Sequence, residues 1–124
     1  MSKFDLEYEK LNSGQESAVG QIDGPLLVIA GPGTGKTQLL AMRVANILKK
    51  TDTDPYSILC LTFTNKAAVN MKDRIIKLTD GEGSGVIVKT FHSFAAEVMN
   101  SYPDYFWNSA SLSVAPASVQ LDVI

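Results

Sequence analysis

Residues 30–37 read AGPGTGKT, from Ala30 to Thr37, and they separate a short apolar run from a helical pattern. The run before them, residues 26–30 (LLVIA), is typical of a strand buried on both faces of a parallel sheet. After them, apolar residues recur at three- and four-residue spacing from Lys36 to Lys50, which predicts an amphipathic helix. Strand, glycine loop and helix in this order predict a P-loop, where backbone N–H groups and a helix N-terminus bind phosphate.

The side chains at the end of this loop suit a nucleoside triphosphate. Lys36 is expected to reach the β- and γ-phosphates, and the Thr37 hydroxyl to ligate Mg²⁺, which makes them the catalytic candidates and Thr37 the metal ligand. The strict motif begins with glycine where this chain has Ala30, a small residue and a mild departure. The alternative is a glycine-rich turn with a surface lysine. The predicted nucleotide-binding residues of the loop are Ala30, Gly31, Pro32, Gly33, Thr34, Gly35, Lys36 and Thr37.

Two further strand–helix units are predicted after the loop. Residues 57–64 (SILCLTFT) favour a second buried strand, and Asn65 is expected to cap a helix that runs to about Leu78. A flexible turn at residues 81–85 (GEGSG) then leads to a third strand at 86–90 and a third helix at 92–101.

The repeated units decide the fold class. Before the loop, Asn12 or Ser13 is expected to cap a short helix through residues 15–21. Consecutive strand–helix units imply right-handed crossovers and a parallel sheet. The expected fold is therefore α/β.

Composition limits the class of protein. The chain has 124 residues, 45% of them hydrophobic, and a net charge of −2, which suits one domain. No apolar run approaches the roughly 20 residues of a membrane span, and the charged start MSKFDLEYEK is not a signal peptide. The single cysteine, Cys60, is expected in the core and excludes an internal disulfide and a cysteine zinc site. The cytoplasm is the expected compartment.

The charge is unevenly distributed along the chain. Residues 1–24 hold two bases and five acids, residues 25–78 hold eight bases and three acids, and residues 79–124 hold one base and five acids. The positive excess therefore lies in the segment with the glycine loop and the second strand. An acidic total does not exclude nucleic-acid binding when the charge is patterned in this way.

Four segments together resemble a known family. Residues 11–19 (LNSGQESAV), 30–37 (AGPGTGKT), 61–68 (LTFTNKAA) and 90–93 (TFHS) look like the opening motifs of UvrD/Rep/PcrA-type superfamily 1 DNA helicases, in the same order. The resemblance covers residues 11 to about 100. It implies a RecA-like P-loop NTPase fold, a three-layer parallel sheet with flanking helices, here incomplete. It also implies an ATP-dependent helicase or translocase that uses ATP and Mg²⁺ to move along single-stranded DNA and unwind duplex junctions.

The resemblance also assigns roles to residues outside the loop. Gln15 resembles the glutamine that reads the adenine edge, with an exposed helix-start glutamine as the alternative. Gln38 stands where many relatives have arginine, which puts a nucleotide contact there in doubt. Phe63 resembles an aromatic that stacks on single-stranded DNA bases, with burial in the core as the alternative. The other predicted DNA-binding residues are Thr64, Asn65, Lys66, Thr90 and His92; solvation alone also explains Lys66, and a structural role also explains His92.

Some elements of the implied enzyme are not found in this sequence. A Walker B acidic pair is expected after an apolar strand, but Asp122 is followed by Val123 and Ile124, and no Lys or Arg follows Lys89. We therefore expect residues 1–101 to be the N-terminal part of the ATP-binding lobe and residues 102–124 to begin an inserted helical subdomain or a truncated tail. Alone, the chain is expected not to hydrolyse ATP; its partners would be DNA and the remaining lobes, with no membrane. The alternatives are the helicase subunit of a helicase–nuclease and a non-catalytic nucleotide- or DNA-binding module.

Overall fold

A computed structural model describes residues 1–106 of the chain, so Trp107 and the apolar segment 119–124 lie outside the described residues. Five helices and two strands make up this part. The helices are α1 (Lys3–Tyr8), α2 (Ser13–Gly20), α3 (Lys36–Lys50), α4 (Asn65–Leu78) and α5 (Phe91–Ser101), and the strands are β1 (Leu59–Thr62) and β2 (Ile87–Thr90). Short 3-10 turns at Pro55–Ser57, Glu82–Gly85 and Pro103–Tyr105 complete the chain path. No helix within residues 1–106 has the length and apolar character that a membrane span requires.

The two strands are parallel neighbours, joined by α4. Leu59 pairs with Ile87 at one end of the ladder and Thr62 with Thr90 at the other. The two predicted strand–helix units are therefore confirmed, although both strands are shorter than predicted, because residues 57 and 58 lie in and after a 3-10 turn and Val86 precedes β2. Both carboxyl ends, at Thr62 and Thr90, lie at one edge of the sheet and lead directly into α4 and α5.

The strand predicted over residues 26–30 is not present. The side chains of Leu27 and Ile29 are 84% and 90% exposed, whereas Leu26 and Val28 line a small cavity beside α3 with Leu39 and others. A strand requires a hydrogen-bonded neighbour, and the sheet of the described residues consists of β1 and β2 alone. The predicted three-layer sheet is thus not confirmed: the α/β arrangement within residues 1–106 is a two-stranded parallel sheet with helices.

The hydrophobic core lies where α2, α3 and α4 meet the sheet. Its fully buried large side chains are Val19, Met42, Ile75 and Val86. Cys60 is buried in this core, as predicted. On α3 the buried face is centred on Met42 and Ala45, while Leu40 of the same helix is 41% exposed. Since burying a side chain of this kind contributes roughly 1.5–3 kcal/mol, these residues determine how α3 and α4 are oriented.

The turn between α4 and β2 is packed, so the prediction of a flexible turn was wrong. Gly83 and Gly85 are buried, and the Gly83 N–H donates to Thr79 Oγ1 at 2.8 Å. A Cβ at Gly83 would lie 2.6 Å from Ile75 Cγ2, which is closer than any side chain tolerates. Glycine is required here because the turn lies directly on the end of α4.

Helix α1 was not predicted, and its contacts with α3 hold it in place. Phe4 is buried, and the Lys49 ammonium of α3 lies 4.8 Å from the centre of its ring. The same ammonium pairs with the Asp5 carboxylate at 2.6 Å. Asp5 and Ser2 form a capping box at the start of α1, so one carboxylate both caps a helix and joins it to its neighbour.

Candidate phosphate-binding loop and strand-end surface

The start of α3 has the geometry of an anion-binding loop. Gly33 and Gly35 have φ of 74° and 75°, the left-handed region that glycine adopts without strain. Gly35 occupies the N-cap position and has no side chain to cap the helix. The Leu39 N–H is bonded to the Gly35 carbonyl at 2.9 Å, so the N–H groups before it have no helical acceptor. These groups and the positive end of the helix dipole are free to bind an anion.

Lys36 and Thr37 are the first two residues of α3, and both are exposed at this open end. The Thr34 hydroxyl donates to the Gly31 carbonyl at 2.6 Å and so closes the turn before the helix. No cluster of three or more His, Cys, Asp or Glu side chains occurs within residues 1–106. The exposed Thr37 hydroxyl is an oxygen donor of the kind that Mg²⁺ accepts as a ligand.

Gln15 lies against this loop. Its Nε2 donates to the Thr34 carbonyl at 3.4 Å, and its Oε1 accepts from the Asn12 N–H at 3.0 Å. The Asn12 side chain in turn caps α2 by accepting from the Gln15 N–H, as one of the two predicted caps. The structure thus brings Gln15 to the predicted nucleotide loop, with both ends of its amide bonded to the chain.

Gln38 points into a groove between α1, α3 and α4 rather than along the loop. Its Oε1 accepts from Arg74 Nη1 at 2.7 Å, and its Nε2 donates to Glu7 Oε2 at 3.4 Å. The groove has a volume of about 610 Å³ and is also lined by Lys3, Asn70, Asp73 and Lys77. Arg74 was not a predicted site residue, and no sequence signal links two positions that are 36 residues apart.

Phe63 follows the end of β1 and projects into solvent. Its side chain is 88% exposed, which excludes the alternative that it belongs to the core. Phe91 follows the end of β2 and is 47% exposed, and the two ring centres are 5.3 Å apart with the planes at 39°. Phe91 was not singled out from the sequence, although its place directly after a strand matches that of Phe63.

The helix starts at this edge are capped by threonines, so the prediction of Asn65 as the N-cap was wrong. Thr64 caps α4 by accepting from the Ala67 N–H at 3.1 Å, and Thr90 caps α5 by accepting from the Ser93 N–H at 3.1 Å. Both hydroxyls are therefore committed to the fold, and Thr90 is buried. Asn65, Lys66 and His92 are exposed at the same edge, so His92 is not a core residue.

Comparison with known proteins places the sequence among helicases. The sequence profile of the UvrD/REP helicase N-terminal domain matches residues 11–118. The ATP-dependent DNA helicase PcrA of Staphylococcus aureus is 37% identical over 114 residues, which is 92% of this chain and 16% of the relative. The PcrA of Staphylococcus epidermidis is 38% identical over 116 residues, 94% of this chain and 16% of the relative. The chain thus spans about a sixth of the length of these curated relatives.

Proposed function

Because this chain belongs to the UvrD/REP helicase N-terminal domain family, we propose that it is the ATP-binding part of an ATP-dependent DNA helicase. In this proposal ATP hydrolysis by the parent enzyme drives movement along single-stranded DNA and unwinding at duplex junctions. In this proposal residues 1–101 are the N-terminal part of the ATP-binding lobe, and residues 102–124 are the start of an inserted helical subdomain or a truncated tail. The remaining lobes of the same enzyme are its partners, and the cytoplasm is its compartment.

The open start of α3 supports nucleotide binding more than any other observation. Two left-handed glycines and an N-cap without a side chain leave backbone N–H groups directed out of the helix, where a β-phosphate fits. Lys36, exposed beside them, neutralises the β- and γ-phosphates. Thr37 holds Mg²⁺, which supplies charge neutralisation at the phosphates when bound. The bond from Gln15 to the Thr34 carbonyl supports its assignment to the adenine edge, which its amide would reach by exchanging partners.

The strand-end surface, which consists of Phe63, Asn65, Lys66, Phe91 and His92, supports the nucleic-acid role. Phe63 is available for stacking on a base because it is exposed, and Asn65, Lys66 and His92 surround the same edge. Stacking is worth roughly 1–3 kcal/mol per base and does not depend on sequence, which suits an enzyme that moves along any strand. The hydroxyls of Thr64 and Thr90 cap α4 and α5, so in this proposal the two threonines position the helix starts that face the DNA.

The test of nucleotide binding compares two lysines of α3. Lys36→Ala is expected to lower the affinity of the chain for MgATP by at least about tenfold, because a charged hydrogen bond to phosphate contributes about 1.5–3 kcal/mol. Lys50→Ala, at the exposed C-terminal end of the same helix, is the matched control and leaves the affinity unchanged. Titration with a fluorescent ATP analogue measures both. Equal affinities for the two variants would contradict the proposal.

Hydrolysis is expected to be absent from the 124-residue chain. A steady rate needs an acidic pair after an apolar strand, and Asp122 is followed by Val123 rather than a second acid. A phosphate-release assay with saturating MgATP and single-stranded DNA measures this. Steady turnover that Lys36→Ala abolishes would contradict the expectation and would place the missing chemistry within this chain.

A further inference from the structure

We propose that Phe91 is a positioning residue for base stacking: it supports the ring of Phe63, so that the two rings form one stacking platform at the strand-end edge. This inference rests on the proposed nucleic-acid role of Phe63 and extends it to a residue without an assigned role. The occupant of the platform is an unpaired base of single-stranded DNA.

The backbone places Phe63 and Phe91 next to each other. Phe63 and Phe91 are each the first residue after a paired position, since Thr62 lies opposite Thr90 in the parallel register. Neighbouring strands are about 4.8 Å apart, and side chains at equivalent positions leave the sheet on the same face. The register therefore brings the two residues next to each other, and their ring centres lie 5.3 Å apart.

Phe63 needs support because almost nothing else contacts it. At 88% exposure it is free to change rotamer, and ordering it on each binding event costs conformational entropy. Phe91 is the better-anchored ring, at 47% exposure and at the start of α5, whose cap Thr90 is buried. The separation of 5.3 Å and the tilt of 39° fall in the range where aromatic pairs attract each other.

The surroundings of the pair favour a nucleic acid over an apolar ligand. Asn65 and Lys66 of α4 and His92 of α5 are exposed beside the rings and offer an amide, an ammonium and an imidazole. A strand of DNA presents a base and a phosphate to these groups at once. The rings would then hold the base while the polar groups contact the backbone.

The experiment separates stacking from phosphate contacts. The 124-residue chain is titrated at low salt with a labelled oligothymidylate and with an abasic oligomer of the same length, and the ratio of the two affinities reports base stacking. For the wild type this ratio is expected to be about tenfold, and Phe63→Ala brings it to about one. Phe91→Leu is expected to lower it about threefold while the affinity for the abasic oligomer stays unchanged.

Three further variants complete the design. Phe91→Tyr keeps the ring and is expected to keep the wild-type affinity ratio. This variant distinguishes positioning by the ring from loss of a buried volume. Phe91→Met is the second ringless variant if circular dichroism shows that Phe91→Leu unfolds the chain. Tyr105→Leu, an exposed aromatic beyond the far end of α5, is the matched control and leaves the ratio unchanged.

The outcomes distinguish the two ideas. If Phe63→Ala lowers the affinity ratio to about one but both ringless variants of Phe91 keep the wild-type ratio, the role of Phe91 is refuted. Stacking by Phe63 then stands. If Phe63→Ala leaves the ratio unchanged, or the wild type does not prefer the oligomer with bases, stacking at this edge is refuted together with the platform.

Discussion

The start of α3 and the starts of α4 and α5 are helix N-termini built in two different ways. Gly35 leads into α3 with a left-handed backbone and no cap, whereas Thr64 and Thr90 lead into their helices with extended backbones and hydroxyl caps. A cap satisfies the N–H groups of the first turn, while an uncapped turn leaves them for an external acceptor. The proposed phosphate site therefore coincides with the uncapped helix start, while the two capped starts have their first-turn N–H groups bonded within the fold.

The comparison predicts the largest effect at Gly35. Gly35→Ala places a Cβ at a φ of 75°, which disfavours the left-handed turn before α3. We therefore expect at least a tenfold loss of MgATP affinity, which corresponds to about 1.4 kcal/mol of binding free energy. Gly20→Ala is the matched control, because Gly20 ends α2 with no atom within 4 Å of the added Cβ. Titration with a fluorescent nucleotide measures both. Wild-type affinity in Gly35→Ala would show that the uncapped turn is not the phosphate site.

The second prediction concerns the capped helices. Thr64→Ala and Thr90→Ala remove the acceptors of the Ala67 and Ser93 N–H groups, and each is expected to lower the unfolding free energy by about 1 kcal/mol. MgATP affinity should not change, in contrast to Gly35→Ala. Urea unfolding followed by circular dichroism gives the stabilities. Thr64→Ser keeps the hydroxyl and serves as the control; an equal loss in Thr64→Ser would show that the cap is not the cause.

The smallest effect is expected at α1, whose cap is charged and therefore depends on pH. The Lys49 ammonium and the hydrogen bonds from Ser2 hold the pKa of Asp5 well below its ordinary range. A lowered pKa stabilises the fold above the unfolded pKa of about 4 and loses this contribution as the pH falls towards the folded pKa. Asp5→Asn should therefore be less stable than the wild type at pH 7, and the gap should narrow at pH 3.

Urea unfolding at the two pH values measures this gap. Asp23→Asn is the control, since exposed Asp23 takes part in none of the ion pairs of residues 1–106. A gap between wild type and Asp5→Asn that stays constant from pH 7 to pH 3 would show that the charge of Asp5 does not stabilise α1.

Local patterns predicted the elements whose signals are local. The bounds of α3 match the prediction because apolar spacing, the glycine before it and the lysines at its end all lie within one stretch. The parallel pairing of β1 with β2 follows from the strand–helix–strand order. At the start of α4, Thr64 and Asn65 are both good capping residues, so residue type alone does not distinguish them, and Thr64 is the cap in the structure.

Nonlocal features were not predictable in the same way. Residues 26–30 have the composition of a buried strand, but a strand exists only with a hydrogen-bonded partner, which no residue within the run can provide. The hydrogen bond from Arg74 to Gln38 joins two helices, and no local pattern in either segment predicts it. The packing of Gly83 on Ile75 likewise depends on how the chain returns from α4.

Cys60 is a chemical probe of how often the sheet opens. It is the only cysteine of the chain, it pairs with Val88 in the middle of the ladder, and burial raises the pKa of its thiol. Alkylating reagents attack the thiolate, so modification should be slow until β1 separates from the core. The rate of labelling then reports how often the sheet opens. Slower labelling in the presence of a nucleotide would show that binding at the start of α3 stabilises β1 against opening.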